Sequence, residues 1–185
     1  MFFSNQFADR NFSAEKFMAF SHLVSGLALM GLGMIHPDAV TGKAAFMPFF
    51  ALMCIHCLFY VPTMSIANTL VFANIKDTAK EFGLVRMGGT IGWILAAWPF
   101  IFLLVDWNKV SAANPQGVVD WLGAVFGSPL EGQALIAGTR WTYIVASVAS
   151  LVLAGFSLLL PPTPPKKALA GESMAFVKAF GVLKH

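Results

Sequence analysis

The feature that most constrains this chain is where its charges are missing. Lysine, arginine, aspartate and glutamate gather in short stretches. Between them, from Phe17 to Pro37, Ala44 to Ile75, Met87 to Val105 and Trp141 to Pro165, there is no charged side chain. About 20 predominantly apolar helical residues cross the hydrocarbon core of a bilayer. The pattern predicts an all-α integral membrane protein with four spans, near 14–35, 44–70, 85–105 and 139–160. Residues 1–160 read as the transmembrane part, with an extracytoplasmic connector at 106–138. Residues 161–185 read as a cytosolic Pro-rich linker and an amphipathic tail.

Composition closes off other classes. Only 11% of residues are charged, against about 25% in soluble domains. No basic patch with interleaved aromatics invites nucleic acid. No acid–base pair, nucleophile constellation or phosphate loop suggests an enzyme, and no cofactor is expected. Asp9, Arg10, Glu15 and Lys16 stand where a signal peptide would carry its apolar core. Cys54-Ile-His-Cys57 offers three ligands in one helical turn. A structural zinc site needs four, and no other cluster supplies a partner, so no metal is expected. His56 reads instead as a hydrogen-bonded contact between helices.

Local signals mark the span ends. Ser13 is placed to cap the first span, with Glu15 in its first turn. Gly26, Gly31 and Gly33 permit close helix contact there. Pro62 interrupts the second span and frees a carbonyl that a neighbour, a hydroxyl or water must satisfy. Residues 74–85 form a charged connector. Trp121–Phe126 is too short to span and suits the interface. Arg140 and Trp141 read as an interface anchor, with Tyr143 in the same aromatic belt. Placing the first loop, the 74–85 connector and the tail on one side puts nine of the twelve Lys and Arg residues there. By the positive-inside rule that side is cytosolic, so both ends of the chain are cytosolic.

The third span opens with Phe82-Gly-Leu-Val-Arg-Met-Gly-Gly-Thr-Ile-Gly-Trp93. At about 100° per residue from Arg86, Thr90 falls at about 40° and Trp93 at about −20°. The three share one face. Gly88 and Gly92 fall near 200° and 240°, a G-x-x-x-G pair on the other face. One face thus offers a cation, a hydroxyl and an indole, and the other offers bare backbone for packing. The residues alone leave two readings open for Arg86, a snorkelling anchor or a solute contact. Thr90 and Trp93 equally suit helix packing. Asn68 suits either an interhelical hydrogen bond or a cavity wall.

Several motifs resemble one family. Ala8-Asp-Arg and Ser13-Ala-Glu-Lys16 resemble the loop between the second and third helices of major facilitator transporters. Tyr60-Val-Pro-Thr-Met-Ser-Ile-Ala-Asn-Thr69 resembles the fourth helix of the nucleoside:proton symporters. Val85-Arg-Met-Gly-Gly-Thr-Ile-Gly-Trp93 resembles their fifth, and Leu160-Pro-Pro-Thr-Pro-Pro with Ala179–Lys184 resembles their central linker. The resemblance implies the third to sixth helices of a two-half carrier, with its C-terminal half beyond this sequence. It implies proton-coupled nucleoside transport across the inner membrane by alternating access, with nucleoside and proton as partners. It implies substrate contacts at Arg86, Thr90, Trp93 and Asn68, and gating contacts at Asp9, Arg10 and Lys16. The 106–138 connector looks longer than is usual for the family. No span carries a central Asp or Glu, so a coupling carboxylate is expected outside this sequence. The alternatives are a carrier of the same fold for another polar solute, such as a sugar, and a non-transporting four-span scaffold or decayed fragment.

Overall fold

A computed structural model of the chain describes residues 12–35 and 43–165. Asp9 and Arg10, and the tail from Lys166 onward, lie outside the described residues. The helices are α1 (Ala14–Met34), α2 (Lys43–Asn74), α3 (Thr78–Leu103), α4 (Trp107–Ala112), α5 (Val118–Phe126) and α6 (Gly132–Ser157). Four segments are long and apolar enough to cross a membrane: α1, Phe46–Asn74 of α2, α3 and α6.

Helix α1 is the centre of the packing, with α6 on one side and α2 on the other. The reason lies in its small residues. Ser21, Ser25, Gly26, Ala28 and Gly33 are all buried. A Cβ added to Gly26 would sit 3.1 Å from Leu151 Cδ2 on α6. One added to Gly31 would sit 2.9 Å from Leu52 Cδ1 on α2, and one on Gly33 only 2.7 Å from Ile144 Cγ1 on α6. Lipid tails are as apolar as leucine, so such close approach, and not water exclusion, is what holds spans together. Hydrogen bonds add to it. Ser147 Oγ donates to the Gly26 carbonyl at 2.8 Å, and Ser150 Oγ to the His22 carbonyl at 2.9 Å.

Helix α2 runs unbroken through Pro48 and Pro62. The expected interruption at Pro62 does not occur, because the following turn is held from two sides. Thr63 is buried and donates to the Tyr60 carbonyl at 2.6 Å. Ile66 and Leu70 pack on Ala14 and Met18 of α1.

The charged 74–85 connector is mostly helix. Asp77 caps α3 by accepting from the Ala79 and Lys80 amides at 3.0 and 3.2 Å. Glu81 reaches back to the Lys76 amide at 2.9 Å. Two carboxylates therefore satisfy backbone donors at this terminus, so α3 starts at Thr78. Beyond its first turns α3 differs from the other spans: none of its residues is buried. Gly88 and Gly92, expected as a packing face, have no neighbour within 4 Å of a built Cβ. Glycine permits close approach but does not supply the partner, and the helices described here all lie elsewhere.

The 106–138 connector folds back beside the end of α3. Val105, Val110 and Val125 form its core, with Phe102 and Trp121 packed against it. The Asp106 amide donates to the Ser128 carbonyl, and the Leu130 amide to the Leu104 carbonyl, both at 2.8 Å. The sixth helix then begins at Gly132, ahead of the apolar run proper.

At the opposite end, Thr163 of the Pro-rich segment joins three elements. Its carbonyl accepts from the Ala14 amide at 3.2 Å. Its amide donates to Glu15 Oε2 at 2.9 Å, and its hydroxyl accepts from Asn74 Nδ2 at 3.4 Å. The start of α1, the end of α2 and the segment after α6 thus lie at one end of the bundle. Ser13 occupies the N-cap position of α1 without a side-chain cap bond.

Candidate functional site

The slack contact between α2 and α3 leaves a groove. It has a volume of about 520 Å³ and is lined by Ala67, Asn68 and Val71 from α2 and by Phe82, Val85, Arg86, Gly89, Thr90 and Trp93 from α3. The helical period explains the α3 set. These six lie within one broad stripe, as Arg86, Thr90 and Trp93 must when spaced three and four residues apart. Asn68 and Val71 are likewise three apart on α2.

The groove brings together Asn68, Arg86, Thr90 and Trp93. All four side chains are exposed. Trp93, with 76% of its surface free, presents nearly its whole indole. The Arg86 side chain makes no hydrogen bond or ion pair with any described residue, so its five guanidinium donors are open to a ligand. Thr90 donates to the Arg86 carbonyl at 3.3 Å, one turn back. Its hydroxyl proton is therefore engaged, while its lone pairs can still accept. Phe82, which sequence reasoning passed over as a site residue, stacks on Phe72 of α2 with ring centroids 4.7 Å apart. That pair closes the end of the groove nearest the α2–α3 turn. The signal was available, since Phe82 lies four residues before Arg86 on the same helical stripe.

Chemically the wall is mixed. It has an apolar floor of Ala67, Val71 and Val85, the two aromatic rings of Phe82 and Trp93, one cation, one amide and one hydroxyl. Such a wall suits a flat, uncharged, oxygen-rich solute better than a purely apolar one.

The other expected site residues fall elsewhere. Lys16 is exposed in the first turn of α1, beside a second depression lined by Glu15 and Pro162, Pro164 and Pro165. It does not approach the groove. Cys54 and Cys57 are exposed free thiols, while His56 turns inward, with Nδ1 2.7 Å from Ser25 Oγ of α1. The Cys-Ile-His-Cys turn is thus split between two directions. Trp141 is exposed, and the Arg140 side chain is half-buried.

Four helices long and apolar enough to span, with a groove that carries a few polar side chains opening along one of them, define a multi-pass membrane protein. The sequence profile described as "Nucleoside H+ symporter" matches residues 1–127, and the chain belongs to that family. It is 30% identical over 158 residues to YegT of Escherichia coli strain K12, named as a candidate nucleoside transporter, covering 85% of this chain and 30% of that one. It is 22% identical to the xanthosine permease of the same strain, over 91% of this chain and 32% of the permease. It is 28% identical to the nucleoside permease NupG of that strain, over 49% of this chain and 21% of the permease. The chain thus spans a third or less of the length of these relatives. No solved structure matches it.

Proposed function

We propose that this chain forms part of a carrier that moves nucleosides across the inner membrane with protons, and that the α2–α3 groove is part of its substrate site. The observation that carries the reading is the meeting of Asn68, Arg86, Thr90 and Trp93 along one groove in a chain of the nucleoside H+ symporter family. Relatives named as a xanthosine permease and a nucleoside permease point to a purine or pyrimidine nucleoside.

Each side chain then has a role. The Trp93 indole stacks on the flat base, an interaction indifferent to which base it is. Arg86 donates to base carbonyl or ribose oxygens. Asn68 donates and accepts, and Thr90 accepts from a ribose hydroxyl. The groove is one-sided, which suits a site completed by a second half of the carrier in alternating access. The excess of lysines and arginines in the first loop, the 74–85 connector and the tail supports a reading in which both ends of this chain are cytosolic.

The test is nucleoside uptake by the full-length protein with Trp93→Ala and Arg86→Ala, against competition by nucleosides and by sugars. Loss of uptake in both variants, with competition by nucleosides alone, supports the reading. Normal uptake in both removes the groove as the site. Competition by sugars alone moves the substrate class.

A further inference from the structure

The spans contain no central carboxylate, yet they are not free of ionisable groups. Two histidines from different helices meet inside the bundle. His22 lies eight residues into α1, about 12 Å along its axis, well inside a hydrocarbon core about 30 Å thick. It is 5% exposed. His56 comes from α2, half-buried, and Tyr60 one turn further on lies against both imidazoles. The His56 and Tyr60 rings are stacked, with centroids 5.3 Å apart and 15° between planes. The His22 ring meets Tyr60 edge-on at 6.2 Å.

Polar groups surround the pair. His56 Nδ1 is 2.7 Å from Ser25 Oγ and 3.4 Å from the Ser25 carbonyl. His22 Nδ1 is 3.5 Å from Ser150 Oγ of α6, whose proton goes to the His22 carbonyl. No described residue bonds the Nε2 of either ring. The facing groups on every packed element can be named. Helix α1 offers His22, helix α2 offers His56 and Tyr60, and α6 offers the neutral hydroxyls Ser147 and Ser150. Glu15 lies about two turns away, tied to Thr163. Arg140 of α6 sits at the level of Gly33, about three turns off, and Tyr143 at the level of Phe49, about two turns off.

We propose that His22 and His56 form a single proton-binding site at the contact between α1 and α2, with Ser25 as its positioning residue. Histidine is the side chain that changes charge near neutral pH. An ionisable group inside a membrane is expensive, and it persists where it serves a proton or ion pathway. The stacked Tyr60 face and the Ser25 oxygens can stabilise one imidazolium. Two such charges side by side repel, so the pair holds one proton at a time. Binding adds a proton to one ring nitrogen, and release returns the same proton to water, so no co-reactant is required. The role of this site in coupling rests on the transport reading above; the proton site itself does not.

The test is the protonation state of the two rings, read by NMR of histidine-labelled full-length protein in lipid nanodiscs from about pH 5 to pH 8. The expected result is a shared titration in that window, with the His22 midpoint moved by at least about half a pH unit in His56→Gln. Ser25→Ala keeps both rings, so it covers the case in which a histidine variant fails to fold. It is expected to move the shared titration, and a titration identical to wild type in it overturns the proposal. Rings that stay neutral throughout, or titrate independently, also overturn it and leave His22 and His56 as interhelical contacts. In the transport assay, the pH dependence of nucleoside uptake should flatten in His22→Gln, and an unaltered profile overturns the coupling role. A shared titration in a protein that takes up no nucleoside keeps the site and sinks the nucleoside reading instead.

Discussion

Helices α1 and α3 have similar length and apolar content, and both carry paired glycines, but they have opposite fates. Helix α1 is packed between α2 and α6, with Ser21, Ser25, Ala28 and Leu32 buried. Helix α3 has no fully buried residue, and its groove against α2 holds the residues best suited to meet a solute. What separates them is what stands opposite the small residues. On α1, the glycines face Leu52, Ile144 and Leu151, and serine hydroxyls from α6 reach its carbonyls. On α3, the glycines face open space among the described residues. A helix fixed by close contacts on both sides makes a frame. A helix held at its ends can keep a polar face free for binding.

The largest effect that would test this division is on transport. Trp93→Ala and Arg86→Ala are each expected to reduce nucleoside uptake by about tenfold or more. Base–aromatic stacking contributes about 1–3 kcal/mol, and hydrogen bonds to a charged group about 1.5–3 kcal/mol. Neither variant should lower the amount of folded protein, because both side chains are exposed. Radiolabelled uptake set against membrane protein level checks it. Loss of folded protein in step with uptake would mean that α3 is frame after all.

Next comes a direct exchange of the two glycine sets. Gly33→Leu forces atoms into a place where even a Cβ lies 2.7 Å from Ile144 Cγ1 and 3.4 Å from the Arg140 carbonyl. Overpacking of that kind costs about 1–3 kcal/mol. Gly88→Leu and Gly92→Leu meet nothing and are expected to cost under about 0.5 kcal/mol. Thermal unfolding in detergent would rank them. Equal losses at Gly33 and Gly88 would reveal a partner for the α3 glycine face beyond the residues described here.

Much of this could be read in the sequence, for a physical reason. Charge-free runs of this length have one stable environment, so four spans follow from composition. A period of 3.6 residues aligns Arg86, Thr90 and Trp93 before any tertiary contact is known. Gly26, Gly31 and Gly33 act as expected, because the same wheel aims them at two neighbours. What the sequence hid were the features decided by partners. Gly88 and Gly92 follow the same spacing rule, but spacing carries no information about what stands opposite. Pro62 looked like a break, but Thr63, Ile66 and Leu70 hold the helix through it. Thr163 joins residues 89 and 148 positions away, a separation that no local pattern encodes. His22 is a different case, since a histidine within a charge-free run was visible, and only its pairing with His56 and Tyr60 was not.

The serines on α6 give a smaller and more graded test. Ser147→Ala and Ser150→Ala each remove one bond to an α1 carbonyl. Such interhelical bonds average about 0.6 kcal/mol, and few exceed about 1.7 kcal/mol. The double variant should lose roughly the sum, measured by unfolding in detergent, since the two sites serve different carbonyls. A loss far above that sum would mean the two hydroxyls hold α1 and α6 together as a unit.

The most local effects lie at the helix starts, and they express the same contrast there. Helix α3 begins with its own sequence: Asp77 accepts from two amides and Glu81 from a third. Helix α1 begins with a distant one: the Ala14 amide is taken by the Thr163 carbonyl, and Ser13 makes no side-chain cap bond. Asp77→Ala should therefore cost about 1 kcal/mol, the usual loss for a cap carboxylate, and amide hydrogen exchange should speed up from Thr78 through Glu81. Ser13→Ala should change exchange at the start of α1 little, because the partner that holds it is elsewhere in the chain. If Ser13→Ala loosens α1 as much as Asp77→Ala loosens α3, the Thr163 contact is not what fixes the first span. The frame would then start, as α3 does, from a local signal.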